Sequence, residues 1–309
     1  MQLKLKRVAH KDIDFEKWDR CISAYSHPQP YGFSWYLNWV APKWDALVHG
    51  DYEVIMPIFP RVKNRVEFTT RPYGTQQLGP YSMVPLEATM VEQLVQEAMS
   101  HFRYGEFFLG HGVPLPTSWT SQSLVNLELV TNSPYATLQK AYSKQCRRNL
   151  KAAANAAFEA VEWVEVGDVL QLWKDNIMDK TQITEEQLVG FKKVLEFCHY
   201  QKRAQIIAVR DEYNQVVAAQ IWVVFQGRST LLVNAATTWA KENGLPTYLI
   251  DQHIQSKAGQ DHIIDFEGSN IEGLNRFYSG FGAVETIYRL HIENRLPLPL
   301  RWMKHKTTR

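Results

Sequence analysis

Between Ala204 and Ala236 the chain carries three apolar runs, AQIIAVRD, VVAAQIWVVFQ and RSTLLVNAA, with little between them but turn residues. Runs this rich in Val, Ile and aromatic residues, bounded by Asp211–Asn214 and by Gln226-Gly227, predict β-strands. Connections so short allow only antiparallel neighbours, because a parallel return needs a crossover of about a dozen residues. An antiparallel meander is therefore fixed before any other element is placed.

The elements on either side extend it. Asn243-Gly244-Leu245-Pro246 opens a helix to about residue 259, with the proline tolerated in a first turn. HIIDFEG reads as a buried strand, 270–280 as a short helix and AVETIYRLHI as a last strand. Upstream lie a helix over 135–157, the strand EAVEWVEV, and helices near 168–179 and 184–200. The last of these is announced by Thr184 with Gln187 three residues on. The order predicts an α/β (α+β) fold, a mixed and mostly antiparallel sheet flanked by helices.

The first half has its own set. QLKLKRV alternates as a strand, and Asp14 is placed to cap a helix through FEKWDRCISAY. GFSWYLNWV puts Phe33, Tyr36, Leu37 and Val40 on one helical face. WDALVHG and YEVIMPIFPRV read as two strands joined at Gly50-Asp51, followed by a helix over 86–103 and the strands EFFLGHG and LVNLELV. At about 100–200 residues per domain, 309 residues make two domains. Thr131-Asn132-Ser133-Pro134 is the best linker, giving lobes at 1–132 and 133–309.

Charge and cysteine content narrow the function. The 34 Lys and Arg against 32 Asp and Glu leave +2, too near neutral to mark a nucleic-acid binder by overall charge. Cys21, Cys146 and Cys198 lie far apart with no Cys-x-x-Cys pair, so neither a metal site nor a disulfide framework is expected. The first residues, MQLKLKRVAHKDID, form no signal core, and no run of about 18 apolar residues exists to span a membrane. A cytoplasmic, reducing setting is the expectation. No His-Glu-x-x-His or Gly-x-Ser-x-Gly pattern occurs, and His253 and His262 read as satisfied scaffold residues.

Chemistry concentrates in DFEGSNIEGLNRFYSGFGA, 265–283. Asp265 and Glu267 close a buried strand, where acids are costly unless paired or facing a cleft. A Gly-Ser-Asn turn with Ser269 and Asn270 follows, then a helix bearing Tyr278. The helix start at Asn243, Gly244 and Thr247 is a natural anion position, since unpaired amides point outward there. Lys140, Lys144, Arg147, Arg148 and Lys151 gather on one helix, where phosphate contact competes with a merely solvated face. In the first lobe Tyr36, Trp39, Tyr73 and Gln77, from the helix 33–40 and the turn 72–80, are candidates for shaping an acceptor groove; core packing is the competing reading.

Tyr-x-x-Phe-Gly-Ala at 278–283, SKQCRRNLK at 143–151 and RPYGTQQLGPYS at 71–82 together resemble the GNAT superfamily. The resemblance is to its tandem members, the Fem-type aminoacyltransferases and BioF2-like acetyltransferases. It implies two GNAT-like lobes and transfer of an acyl or aminoacyl group to a small-molecule or peptide amine. Tyr278 then resembles the acid that protonates the leaving group. Asp265 or Glu267 relieves the amine of its proton, and backbone amides at Asn234, Ala235 and Ala236 polarise the carbonyl. The implied donor is acyl-CoA, with Arg147 and Arg148 beside its phosphates. An aminoacyl-tRNA serving a cell-wall precursor is the alternative, and a non-catalytic binding protein is another. The stretch Trp239–Thr247 departs from the glycine-rich GNAT loop in carrying only Gly244.

Overall fold

The computed structural model describes residues 2–25, 27, 29–161, 164–177, 183–268, 270–298 and 301. The chain forms two compact units, Met1–Leu124 with Ile287–Arg309, and Val125–Thr286. These do not coincide with segments 1–132 and 133–309. The division falls inside one unbroken strand, and the last segment returns to the first unit. The turn residues at 131–134 mark only where that strand ends.

In the first unit, β1 (Leu5–Val8), β2 (Asp45–His49) and β3 (Val54–Ile58) form an antiparallel sheet, closed by the two-residue β6 (Tyr81–Ser82). Helix α1 (Phe15–Ala24) starts where Asp14 accepts the Lys17 N–H at 3.1 Å. Helix α2 (Ser34–Val40) buries Tyr36 and Leu37. The run YEVIMPIFPRV is not one strand: it breaks at Phe59 into β3 and β4 (Pro60–Lys63), the latter paired with β5 (Val66–Thr69). Proline cannot donate to a ladder, so the break sits where Pro60 can occupy a strand's first position. Helix α3 (Ala88–His101) buries Met90, Val91, Leu94, Val95 and Ala98, the i, i+4 stripe its sequence predicts. Strand β7 (Tyr104–Leu109) runs parallel to β5 and antiparallel to β14 (Val284–Asn294).

The second unit begins within β8 (Ser121–Val130). Its strands follow the order β8, β13 (Ile263–Asp265), β12 (Arg228–Ala236), β11 (Val216–Phe225), β10 (Ala204–Arg210) and β9 (Glu159–Val161). The meander β10-β11-β12 is antiparallel as predicted, and β13 lies parallel to β12. The remainder of EAVEWVEV includes Glu162 and Trp163, outside the described residues. Helices α6 (Val166–Ile177) and α7 (Glu185–Tyr200) precede the meander. Helix α7 opens with a reciprocal cap: the Gln187 N–H donates to Thr184 Oγ1 at 3.3 Å, and the Thr184 N–H to Gln187 Oε1 at 2.9 Å.

The helix expected over 135–157 is two, α4 (Tyr135–Lys140) and α5 (Lys144–Ala153). Ser143 divides them, accepting the Cys146 N–H at 3.1 Å as the cap of α5. Lys140 therefore does not share a helix with Lys144, Arg147, Arg148 and Lys151. After β12 come α8 (Thr238–Glu242), α9 (Leu245–Lys257) and, beyond β13, α10 (Glu272–Ser279). Trp222, Ile250, Ile254, Ile264, Phe266 and Phe281 fill the core under α9 and α10. Each such side chain contributes about 1.5–3 kcal/mol by leaving water.

Candidate active site

The parallel ladder between β12 and β13 is short. Arg228, Ser229 and Thr230 face Ile263, Ile264 and Asp265, and there it stops. From Leu231 to Ala236, β12 has a ladder partner only in β11 among the described residues. The register slips in this stretch: Val233 faces Ile221 and Leu231 faces Trp222, leaving Leu232 as an extra residue. Such a bulge re-aims the strand, and nothing in the periodicity of the sequence announces it.

Asn234 stands on that open edge. Its amide donates to the Tyr278 hydroxyl at 3.4 Å and accepts from Gln220 Nε2 at 3.2 Å. Gln220 also donates to the Pro246 carbonyl at 3.1 Å and accepts the Trp222 indole N–H at 3.2 Å. Tyr278, from α10, stacks on Phe266 with ring centroids 5.1 Å apart. Burial pushes its phenol up, the Asn234 bond pulls it back and the Glu267 charge pushes it up further. The phenol is thus protonated at neutral pH. In this bond the phenol oxygen is the acceptor, so the Asn234 amide leaves the phenol's own proton free to donate elsewhere.

The two acids have different fates. Asp265 is fully buried. Its Oδ2 takes Arg228 Nη1 at 2.7 Å, its Oδ1 takes the Glu267 N–H at 2.8 Å, and Arg228 also holds Glu128 at 2.9 Å. Burial drives its carboxyl up, Arg228 pulls it down and Glu128 pushes it up again. With both oxygens engaged and no exposed surface, Asp265 is no base for an incoming amine, which corrects that expectation. It positions the turn instead. Glu267 is half-buried with φ +57°, left-handed, and the bond to Asp265 holds it there. Of the two acids, Glu267 is the one whose charge reaches Tyr278. Ala235 and Ala236 continue the open edge beside Asn234. Asn270 is exposed and accepts the Val125 N–H at 3.4 Å, and Ser269 lies outside the described residues.

The expected phosphate cradle is filled. Gly244 has φ +71°, and the backbone of Asn149 lies directly against it where a β-carbon would stand. Thr247 is 1% exposed, and its hydroxyl accepts from the Asn149 side chain at 3.0 Å. Asn243 donates to the Trp239 carbonyl at 2.9 Å, closing α8. Helix α5 thus occupies the start of α9, with a carbonyl oxygen where a phosphate would need donors. The glycine at this position is thus required by a backbone contact with Asn149. Tyr142 and Tyr135 fasten the arrangement, donating to the buried Asp251 of α9 at 2.7 and 2.8 Å. Asp251 at first sight is an ordinary polar helix position, and its tyrosine partners lie more than a hundred positions upstream.

Arg147 donates to the Lys140 carbonyl at 2.9 Å and Arg148 to Gln145; both guanidinium groups are exposed. Lys144, Arg148, Arg276 and Phe277 line a cavity of about 900 Å³ between α5 and α10. Sequence reading did not find it, because the two helices are far apart in the chain.

In the first unit, Tyr36 is fully buried and donates to the Gly74 carbonyl. Gln77 is 3% exposed, accepting the His111 N–H at 2.8 Å and donating to Gln76 at 2.9 Å. Both are core members, the competing reading. Trp39 is exposed and Tyr73 half-buried. His262 is a scaffold residue as expected, its Nε2 being 2.7 Å from Ser229 Oγ. His253 is not satisfied: it stacks on Trp222 at 4.0 Å, and neither ring nitrogen has a hydrogen-bond partner among the described residues. Among the described residues no cluster of His, Cys, Asp and Glu is placed to hold a metal ion. No helix among them is long and apolar enough to cross a membrane.

No protein-family model and no curated protein matches the chain. Solved structures match in fold. FemX superposes with a TM-score of 0.62 at 8% identity, over 92% of this chain and 96% of that one. L-PGS from Bacillus licheniformis gives 0.54 at 11% identity, over 92% of each. A tandem GNAT protein from the clavulanic acid biosynthesis pathway gives 0.55 at 8% identity, over 95% of this chain and 99% of that one. The chain therefore shares the mixed α/β fold of these structures.

Proposed function

We propose that this chain is an N-acyltransferase that moves an acyl or aminoacyl group from an activated ester to the amine of a small molecule or peptide. The carrying observation is the Tyr278 hydroxyl, protonated, oriented by Asn234 and with its proton left free by that bond. The amine nitrogen bonds to the donor carbonyl carbon, and the carbonyl π pair moves onto oxygen. Amides of Leu231–Ala236 that face away from β11 are the donors available to that oxyanion. Collapse restores the carbonyl and breaks the bond to the leaving atom, which takes the Tyr278 proton. The amine's surplus proton passes to Glu267, directly or through one water. Proton exchange with solvent resets both groups.

The fold shared with FemX and with a tandem GNAT protein supports the transferase class. The test is label transfer from acetyl-CoA and from aminoacylated tRNA to a panel of amines, with Tyr278→Phe beside the wild type. Transfer should fall on the order of a hundredfold or more in the variant, with an unchanged unfolding midpoint. An unchanged rate removes Tyr278 from the acid role, and no transfer from either donor favours a binding protein.

A further inference from the structure

The bond between Asn234 and Tyr278 can run in either direction, and only one of them serves a proton donor. When Asn234 donates, the phenol keeps its own proton; when the Asn234 amide is turned over, its oxygen takes that proton instead. The two ends of a carboxamide have nearly the same shape, so packing does not choose between them. The choice falls to Gln220. It faces Asn234 across the β11–β12 ladder, and it shares a side of β11 with Trp222, two residues on. Gln220 and Trp222 are both 0% exposed, and an amide so deeply buried costs free energy unless its hydrogen bonds are made. A Met would fill this place in the core without that cost, so what the amide adds is its bonds.

Two groups that cannot be reversed hold Gln220. An indole N–H only donates, and that of Trp222 gives its proton to Gln220 Oε1 at 3.2 Å. A peptide carbonyl only accepts, and that of Pro246 takes Gln220 Nε2 at 3.1 Å. Nε2 then also donates to Asn234 Oδ1, at 3.2 Å, which leaves the Asn234 amino group turned to Tyr278. The indole is itself fixed: His253 stacks on it at 4.0 Å, and Phe266 meets it edge-on at 6.0 Å while stacking on the Tyr278 ring. We infer that Gln220 is a positioning residue, set by Trp222 and the Pro246 carbonyl, that fixes the direction of the Asn234–Tyr278 bond and so keeps the phenol a proton donor. The use of that direction in transfer rests on the proposed function; the direction itself does not.

The experiment follows the ionisation of Tyr278 in the full chain by fluorine NMR with fluorotyrosine incorporated, the signal being assigned by its loss in Tyr278→Phe. Gln220→Met keeps the volume and removes the amide. Asn234 can then turn over, so that it not only ceases to donate but accepts the phenol's proton. Tyr278 should therefore ionise at higher pH than in the wild type, shifted at least as far as in Asn234→Ala. Trp222→Phe leaves the Pro246 carbonyl to hold Gln220. There Tyr278 should ionise near the wild-type pH even where the thermal midpoint falls, which separates direction from a loosened core. Where Gln220→Met alone does not fold, joining it to Trp222→Phe removes the stranded indole N–H and carries the same expectation. An ionisation in Gln220→Met closer to that of the wild type than to that of Asn234→Ala overturns the inference. Label transfer by the same proteins tests the use of the direction: turnover should fall on the order of tenfold or more in Gln220→Met. A shifted ionisation with unchanged turnover keeps Gln220 in its role and removes Tyr278 from the acid role, so the two failures are seen apart.

Discussion

The side-chain amide of Asn149 donates to the hydroxyl of Thr247 at 3.0 Å, and the backbone of the same asparagine rests on Gly244. One residue of α5 thus covers the first turn of α9 twice. Together with Tyr142 and Tyr135 on Asp251, this makes α4, α5 and α9 one packed body.

Gly244→Ala tests that contact. The position has φ +71°, which costs a β-carbon about 1–2 kcal/mol, and that carbon would also meet rigid backbone rather than a side chain that can swing aside. We expect a loss of roughly 2 kcal/mol or more in urea-induced unfolding, with α5 the first helix to lose amide-exchange protection. Unchanged stability and unchanged exchange would mean α5 does not pack there in solution.

Arg228 bridges Glu128 and Asp265 with all three side chains at most 15% exposed. Arg228→Met would leave two carboxylates facing each other out of water, and breaking a buried pair in this way costs about 3–5 kcal/mol. Adding Glu128→Gln and Asp265→Asn removes the stranded charges and should recover much of the loss. The unfolding free energies of the single and triple variants check this. A single variant within 1 kcal/mol of wild type, on the order of surface changes, would contradict the buried network.

Acid stability follows from two histidines. Burial holds His253 down to about 3 and His262 to about 4, both below the 6.5 of an unfolded chain. Between pH 6.5 and 4 the unfolded state therefore takes up protons that the folded state refuses. Stability is fully present above pH 6.5 and falls with acid, at up to roughly 1.4 kcal/mol per pH unit for each ring. His253→Phe keeps a ring on Trp222, removes two nitrogens that have no partner among the described residues and should flatten the slope by about one proton. Denaturant midpoints from pH 7 to 4 measure it, and an equal slope in the variant would refute the buried neutral imidazole.

The parts of this fold governed by neighbours in sequence were readable from it. The meander β10-β11-β12, the cap at Asp14 and the reciprocal cap at Thr184 depend on residues within a few positions. So did the division at Ser143, although the apolar pattern on both sides concealed that signal. The site depends on distant pairs. Asp265 is a costly acid at a strand end until Arg228, 37 positions away, and Glu128 come beside it. Gly244 marked a close approach, and sequence could not say whether a phosphate or another backbone makes it. The end of the β12–β13 ladder and the bulge at Leu232 are set by tertiary packing, which leaves no periodic trace.

Asn234 acts on Tyr278 through one hydrogen bond, and that makes a prediction separable from simple loss of structure. The bond favours the phenolate, so Asn234→Ala should raise the phenol above its already elevated value. If Tyr278 must be protonated to release the leaving group, the alkaline limb of the transfer rate moves to higher pH in the variant. The rate at neutral pH should fall, because a weaker acid with an unfixed hydroxyl protonates less well and is less well placed. Tyr278→Phe should abolish that limb instead of moving it. A limb at the same pH in wild type, Asn234→Ala and Tyr278→Phe would assign it to another group and leave Asn234 as a merely structural side chain.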